Sequence, residues 1–275
     1  MLRFGYAART HTGLVRDNNE DSGFAGPYLQ LVADGVGGAA AGEVASATAA
    51  YVTSAATMGS SDPNLLEVLA RAVAKVHEQL RAGVAAEPER KGMGTTLTAI
   101  LTDGSQAAIA HLGDSRAYLL RDGELSQLTR DQTFVQMLVD EGEITREQAR
   151  RHPQRNVVLQ ALDGDVVPAP DLQLLDLRLG DRVLVCSDGL SDMVEDDRVA
   201  ECLAEPDRDA AAEALVQAAL AAGGRDNVTA LVADVEDGPL ISRDGAPLGA
   251  LQDPHVVLDP AAVRSDRSEH ETALD

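Results

Sequence analysis

Four aspartates occupy the same kind of position along this chain. Asp34 follows the apolar run LQLVA and precedes Gly35. Asp114 follows AAIAHLG and precedes Ser115, and Asp188 follows RVLVCS and precedes Gly189. Asp226 precedes Asn227 and the run NVTALVADV. Each acid therefore sits at an end of a strand-like run, beside a turn-forming residue. Strand ends of one sheet, or of two packed sheets, can converge on a single edge, so acids far apart in sequence can meet in space. Gathered carboxylates repel one another and are stabilised by divalent cations. An all-oxygen set suits Mg²⁺ or Mn²⁺ rather than Zn²⁺, which favours His and Cys. The competing reading is turn chemistry, because an Asp side chain bonds its own backbone ahead of a Gly. Spacing alone leaves both readings open. Near the N-terminus, GLVRDNNEDS sets Arg16 ahead of Glu20 and Asp21. Arg16 is either a phosphate clamp or a surface partner of one of those acids.

Other chemistries lack their residues. A P-loop requires Gly-Lys-Ser/Thr, but Lys75 follows Ala74 and Lys91 follows Arg90. A cysteine phosphatase requires Arg six residues after its nucleophile, and after Cys186 that position is Asp192. Cys186 reads as a buried strand residue. His111, inside AAIAHLGDS, reads as a satisfied core histidine, without companion ligands for zinc. No G-x-S-x-G elbow serves a catalytic triad. The stretch Gly35-Val36-Gly37-Gly38-Ala39-Ala40 fits the dinucleotide fingerprint G-x-G-x-x-A. Asp34 beside the pyrophosphate, and a second helical stretch where a parallel strand is wanted, oppose that alternative.

Composition narrows the field further. The 275 residues carry 45 acids against 23 bases, a net charge of −22. That excludes a basic nucleic-acid surface and charge-driven docking on anionic membrane. With 3% aromatics and no Trp the core must be aliphatic. Two cysteines and no apolar N-terminal region predict a reducing, cytoplasmic setting without a signal peptide. No apolar run reaches 18 residues, so no membrane span is expected.

The elements that must position the acids are of two kinds. Strand-like runs cover 29–33, 95–101, 107–112, 117–120, 172–177, 182–186 and 227–235. Asp122-Gly123 between two runs signals a hairpin. Helical periodicity covers 42–56, 64–85, 133–140 and 207–222, with Pro63 where a first-turn proline would stand. Strands in hairpin-like succession, with helices inserted as pairs, predict an α+β domain over 1–236. Residues 237–275 are broken by Gly, Pro and charges and are expected to form an acidic, disordered tail. That tail holds eight acids and three arginines, so most of the net charge belongs to the body.

Taken in order, VRDNNEDS (15–22), VADGVGG (32–38), GMGTTLTA (92–99), HLGDSRAYLLRDG (111–123), CSDGLSD (186–192) and GGRDNVTALVADV (223–235) resemble the PPM/PP2C family of metal-dependent protein Ser/Thr phosphatases. The similarity spans roughly residues 4–236 and is strongest to bacterial, actinobacterial-type catalytic domains, supported by the flap-like segment 128–145. It implies a four-layer αββα sandwich of two antiparallel sheets flanked by helices. It further implies hydrolysis of phosphoserine and phosphothreonine by attack of a water bridging two Mn²⁺ or Mg²⁺ ions. In that scheme Asp34 bridges the two metals, the Gly35 carbonyl joins one of them, and Asp188 and Asp226 complete the pair. Glu20 or Asp21 holds metal-bound waters, and Asp114 with Asp188 forms a third, weaker site. Arg16 binds the phosphate, and Asn227 orients the ligands from behind. Val36 replaces the His that eukaryotic relatives carry as a proposed leaving-group acid. The implied partners are phosphorylated proteins, Ser/Thr kinases among them, met by a monomer. A catalytically silent member acting as a binding module is the remaining alternative, opposed by the intact acids. Many actinobacterial relatives continue into a membrane helix and an outer domain, and both a soluble member and a shortened anchored one fit this sequence.

Overall fold

Alternating side chains along the strands build two sheets, each with two covered faces. The computed structural model describes residues 1–37, 41–239, 245–253 and 255–258. One sheet has the order β1 (Leu2–His11), β11 (Val228–Asp237), β10 (Arg182–Cys186), β7 (Arg116–Arg121) and β8 (Glu124–Gln127). The other runs β12 (Ala246–Gly249), β2 (Asp21–Ala25), β3 (Leu29–Val36), β5 (Leu97–Thr102), β6 (Ala107–Leu112) and β9 (Asp171–Leu175), with β4 (Gly94–Thr95) beside β3. All of these pairings are antiparallel. The β7–β8 hairpin turns at Asp122-Gly123, both with positive φ (52° and 83°), as the dipeptide predicts.

The period of two divides the core into three apolar layers. Between the sheets lie Val32, Ile100, Ile109, Val183, Val185 and Leu231. Their neighbours Leu31, Ala99 and Ala110 face outward onto α1 (Gly42–Gly59) and α2 (Leu65–Ala86), meeting Leu69, Val73 and Leu80. Leu184, Ala230 and Val232 face the other way, onto α6 (Asp196–Leu203) and α7 (Arg208–Ala221). Each fully buried Leu, Ile or Val contributes roughly 1.5–3 kcal/mol, which lets an aliphatic core do without Trp. The result is the expected αββα sandwich. Three short helices complete it: α3 (Phe134–Asp140), α4 (Arg146–Arg150) and α5 (Asp188–Ser191).

Helix starts follow side-chain chemistry. Asn64, Thr133 and Asp207 each accept a hydrogen bond from a backbone N–H of the first turn. Pro63 therefore precedes the capping residue and is not in the first turn as expected. A helix pair follows β3 where a dinucleotide fold needs a parallel strand, which overturns the fingerprint reading; residues 38–40 of that match lie outside the described residues. Cys186 and Cys202 are free and buried, and burial pushes the Cys186 thiol up to about 12, so it is no nucleophile.

The expected tail requires a correction. β11 itself runs to Asp237, and β12 then pairs with the edge of β2, Ala246 opposite Ala25 and Gly249 opposite Ser22. Val257 and Leu258 are buried, and the Leu258 N–H donates to Thr48 Oγ1 at 3.0 Å. The open edge of β2 supplies hydrogen-bond partners that residues 246–249 cannot find alone. Residues 240–244, 254 and 259–275 of the tail lie outside the described residues.

Candidate functional site

In antiparallel sheets the end of one strand meets the start of the next, and here that geometry gathers the acids. Asp34 stands near the end of β3, directly opposite Asp21 at the start of β2. Asp188 follows the end of β10 and Asp226 precedes the start of β11, whose strands are paired. Asp114 follows the end of β6. Both sheets thus deliver their acids to one edge.

The electrostatics register that convergence. Burial holds Asp34 well above the ordinary carboxylate range, aided by the charges of Asp188, Asp21 and Asp114. Asp188 is raised in the same way by burial, then by Asp114, Asp192 and Asp226, and its carboxyl is in hydrogen-bond contact with that of Asp34. Two carboxyls in such contact share a proton unless a cation takes its place. Burial pushes Asp21 up to about 6, although Ser187 Oγ (2.7 Å) and Thr229 Oγ1 (2.6 Å) donate to its Oδ2. Its Oδ1 is buried without a hydrogen-bond partner. Asp114 is pushed up to about 7 by burial and by the charges of Asp131 and Asp192. Glu20 is raised chiefly by burial.

The two Asp-Gly pairs are not turns. Gly35 lies within β3 and Gly189 within α5, and neither has positive φ. A Cβ at Gly35 would stand 2.4 Å from the Gly42 carbonyl oxygen, and one at Gly189 would stand 1.9 Å from that of Asn227. Each glycine is required because backbone approaches backbone beside an acid. The turn alternative therefore gives way at these two positions.

Supporting residues fix the rest. The Asn227 Oδ1 accepts from the Glu20 N–H at 2.7 Å, and its Nδ2 donates to the Thr12 and Asn18 carbonyls at 2.9 and 2.8 Å. It thereby ties the N-terminal loop to the start of β11. Arg16 is half exposed and donates to Asp226 Oδ2 at 2.8 Å, rather than pairing with Glu20 or Asp21. Thr96 Oγ1 accepts from the Asp34 N–H at 3.0 Å, and the Thr96 N–H donates to the Asp34 carbonyl at 2.9 Å. His111 is held by Thr98 Oγ1 (2.9 Å) and the Arg130 carbonyl (3.0 Å), and burial lowers its pKa, as a core histidine requires.

Sequence reasoning missed Ser187, Thr229 and the partly buried pair Arg116–Asp131 (2.6 Å), which bears on Asp114. Ser187 and Thr229 flank named motifs, but their contact with Asp21 crosses 166 and 208 residues. Among the described residues no three of His, Cys, Asp and Glu are drawn close enough to hold a metal ion by themselves. Asp188 and Asp226 line one cleft and Asp114 another beside it, a spread that suits hard cations retaining several waters. The buried, unpartnered Asp21 oxygen, the all-oxygen donor set and the close backbone cradle at Gly35 fit such cations.

Residues 11–222 match the family described as Protein phosphatase 2C. Serine/threonine protein phosphatase PstP of Mycobacterium tuberculosis H37Rv is 52% identical over 234 residues, covering 84% of this chain and 45% of that protein. The chain thus spans about half the length of that relative. Serine/threonine phosphatase stp of Listeria monocytogenes EGD-e is 35% identical over 238 residues, covering 82% and 94%. The crystal structure of the PstP catalytic domain in complex with 2 manganese ions superposes with a TM-score of 0.81 at 49% identity. That match covers 86% of this chain and 100% of the other.

Proposed function

The chain belongs to the protein phosphatase 2C family, and from that premise we propose that it is a metal-dependent phosphatase hydrolysing phosphoserine and phosphothreonine in proteins. The observation that carries this reading is the meeting of Asp21, Asp34, Asp114 and Asp188 at one sheet edge, with pKa values all raised. A phosphate dianion enters such a cleft only when cations reverse the local field. Asp34, Gly35, Asp188 and Asp226 would hold two Mn²⁺ or Mg²⁺ ions, with Glu20 or Asp21 acting through waters. Asp114 with Asp188 would take a third, weaker one. Bound there, the cations lower the pKa of a shared water and balance charge on the phosphoryl oxygens.

The chain's own residues do the rest. Asn227 holds Glu20 and the Arg16 loop in register. Arg16, half exposed, exchanges its bond to Asp226 for the phosphate once cations neutralise that carboxylate, and it orients the group for in-line attack. Val36 carries no proton donor, so the departing oxygen takes its proton from water, a mild demand in a loose transition state. The substrates are phosphoproteins, activated Ser/Thr kinases among them.

Hydrolysis of a phosphothreonine peptide is measured with Mn²⁺, with EDTA, and in Asp188→Asn with Mn²⁺. Activity in the first condition alone is expected. Activity that survives EDTA, or none with Mn²⁺, overturns the reading. No helix among the described residues is long and apolar enough to cross a membrane.

A further inference from the structure

Beside the acids, a cleft of about 370 Å³ carries four arginines: Arg150 at the end of α4, Arg151 and Arg155 just beyond it, and Arg225 one residue before Asp226. Asp188 and Asp226 line the same cleft, so its far end is the candidate metal edge. Asp192 lines it too, so four arginines face three aspartates where the whole chain has 23 bases to 45 acids, a local enrichment in positive charge.

Three of the arginines hold weak surface partners. Arg150 meets Glu195 at 3.0 Å, Arg151 meets Glu147 at 3.3 Å, and Arg155 stands 3.8 Å from Asp192. Such exposed pairs are held by little and exchange readily. Arg225 is exposed and has no carboxylate partner among the described residues. A guanidinium offers two parallel donors that match a carboxylate, which a lysine does not. The overall negative charge repels an acidic peptide at distance, but that field is screened beyond about 8–10 Å at ordinary salt, so contacts inside the cleft decide selection.

We propose that this cleft selects phosphopeptides bearing Asp or Glu close to the phosphorylated residue, their carboxylates taken by Arg225 and by Arg150 and Arg151. At about 3.3 Å per extended residue, a cleft of this size reaches roughly three positions from the phosphate. The inference rests on the phosphatase reading above and adds a substrate class to it.

The test uses three phosphothreonine peptides with Glu, Ala or Lys within three positions on both sides, with para-nitrophenyl phosphate as a substrate without flanks. In the Mn²⁺-loaded wild type, kcat/KM for the Glu peptide should exceed that for the Lys peptide by about tenfold, as two or three exposed ion pairs provide. The Glu/Lys ratio should fall in Arg225→Ala, hold in part in Arg225→Lys and fall below the Ala variant's in Arg225→Glu. Reading a ratio within each variant removes any change in the metal edge itself. Should Arg225→Glu fail to fold, the exposed Arg151→Glu gives the same readout. A wild-type ratio near one, with metal-dependent turnover of para-nitrophenyl phosphate, overturns the acidic-flank proposal and leaves the phosphatase reading standing. A ratio that no arginine variant moves overturns it too. No metal-dependent turnover of any substrate overturns both.

Discussion

Stripping the cations should make the protein less stable as pH rises from 5 to 7.5. Asp114 is pushed up to about 7 and Asp21 to about 6, against 3.8 for an ordinary aspartate. Asp34 and Asp188 are raised in the same direction. A carboxyl with a raised folded pKa binds more protons folded than unfolded between its two values. Its ionisation therefore opposes folding, starting near the unfolded pKa and complete above the folded one. Each group removes about 1.4 kcal/mol of stability per pH unit in that window. Between pH 5 and 7.5, Asp114 and Asp21 alone remove roughly 4 kcal/mol, which lowers Tm by about 10 °C in a domain of this size. Ion-paired acids such as Asp181 and Glu236 have lowered values and act only below that interval. His111, lowered by burial, acts in the opposite sense, but equally with and without metal. The decisive quantity is the difference between melting curves recorded in EDTA and in Mn²⁺, since bound cations displace the protons and abolish the carboxylate slope. A Tm in EDTA that holds or rises from pH 5 to 7.5, parallel to the Mn²⁺ curve, would refute the buried-cluster argument.

Further outcomes are open to measurement. Arg16→Ala should raise KM for a phosphopeptide about tenfold, the weight of one charge-assisted pair, with less effect on kcat; unchanged kinetics would return Arg16 to the role of surface partner of Asp226. Asp114→Ala should lower turnover while metal analysis still finds two tightly held cations, and should raise the metal-free Tm at pH 7.5 by removing a buried charge. Loss of all metal would show that Asp114 belongs to the principal pair. Leu258→Ala should destabilise by about 2 kcal/mol and lower Tm by about 4–8 °C, because the side chain packs over Gly83. An unchanged Tm would mean that the segment after β11 contributes nothing to the fold.

What the sequence discloses and what it hides divide along the range of the interactions. The helices at 64–85 and 207–222 were legible because side-chain caps and apolar period are local, and they fall within a residue of Leu65–Ala86 and Arg208–Ala221. The strands β6 and β10 were legible as continuous apolar runs, since both their faces are covered. β12 was not, because APLG has no apolar alternation and becomes a strand only against the edge of β2. At the site, acids beside apolar runs could be read as a set, whereas their partners could not. Ser187 and Thr229 look like ordinary strand-end hydroxyls until folding brings them onto Asp21. One of the two readings of Arg16 paired it with an acid four or five residues away, but its carboxylate partner is Asp226, 210 residues away. Local spacing is a poor guide to ion pairs where a loop folds back over a sheet edge.

The two Asp-Gly pairs and the net charge lead to the same point. Asp-Gly is turn chemistry at Asp122-Gly123, where both φ values are positive, but at Gly35 and Gly189 the glycine answers to the crowding of backbones around the acids. Crowding of that kind holds carboxylates together against their repulsion, with raised pKa values as the cost, and a cation relieves it. The bulk charge of −22 does none of this work, because dispersed surface acids are hydrated and screened. It works against an incoming phosphate. A phosphatase on such a body needs its positive potential supplied locally, by cations at the sheet edge and by Arg16 and the arginines of the adjoining cleft. Selectivity and catalysis would then draw on one device, a small cationic region within an acidic surface, and weakening either part should make the other more sensitive to salt.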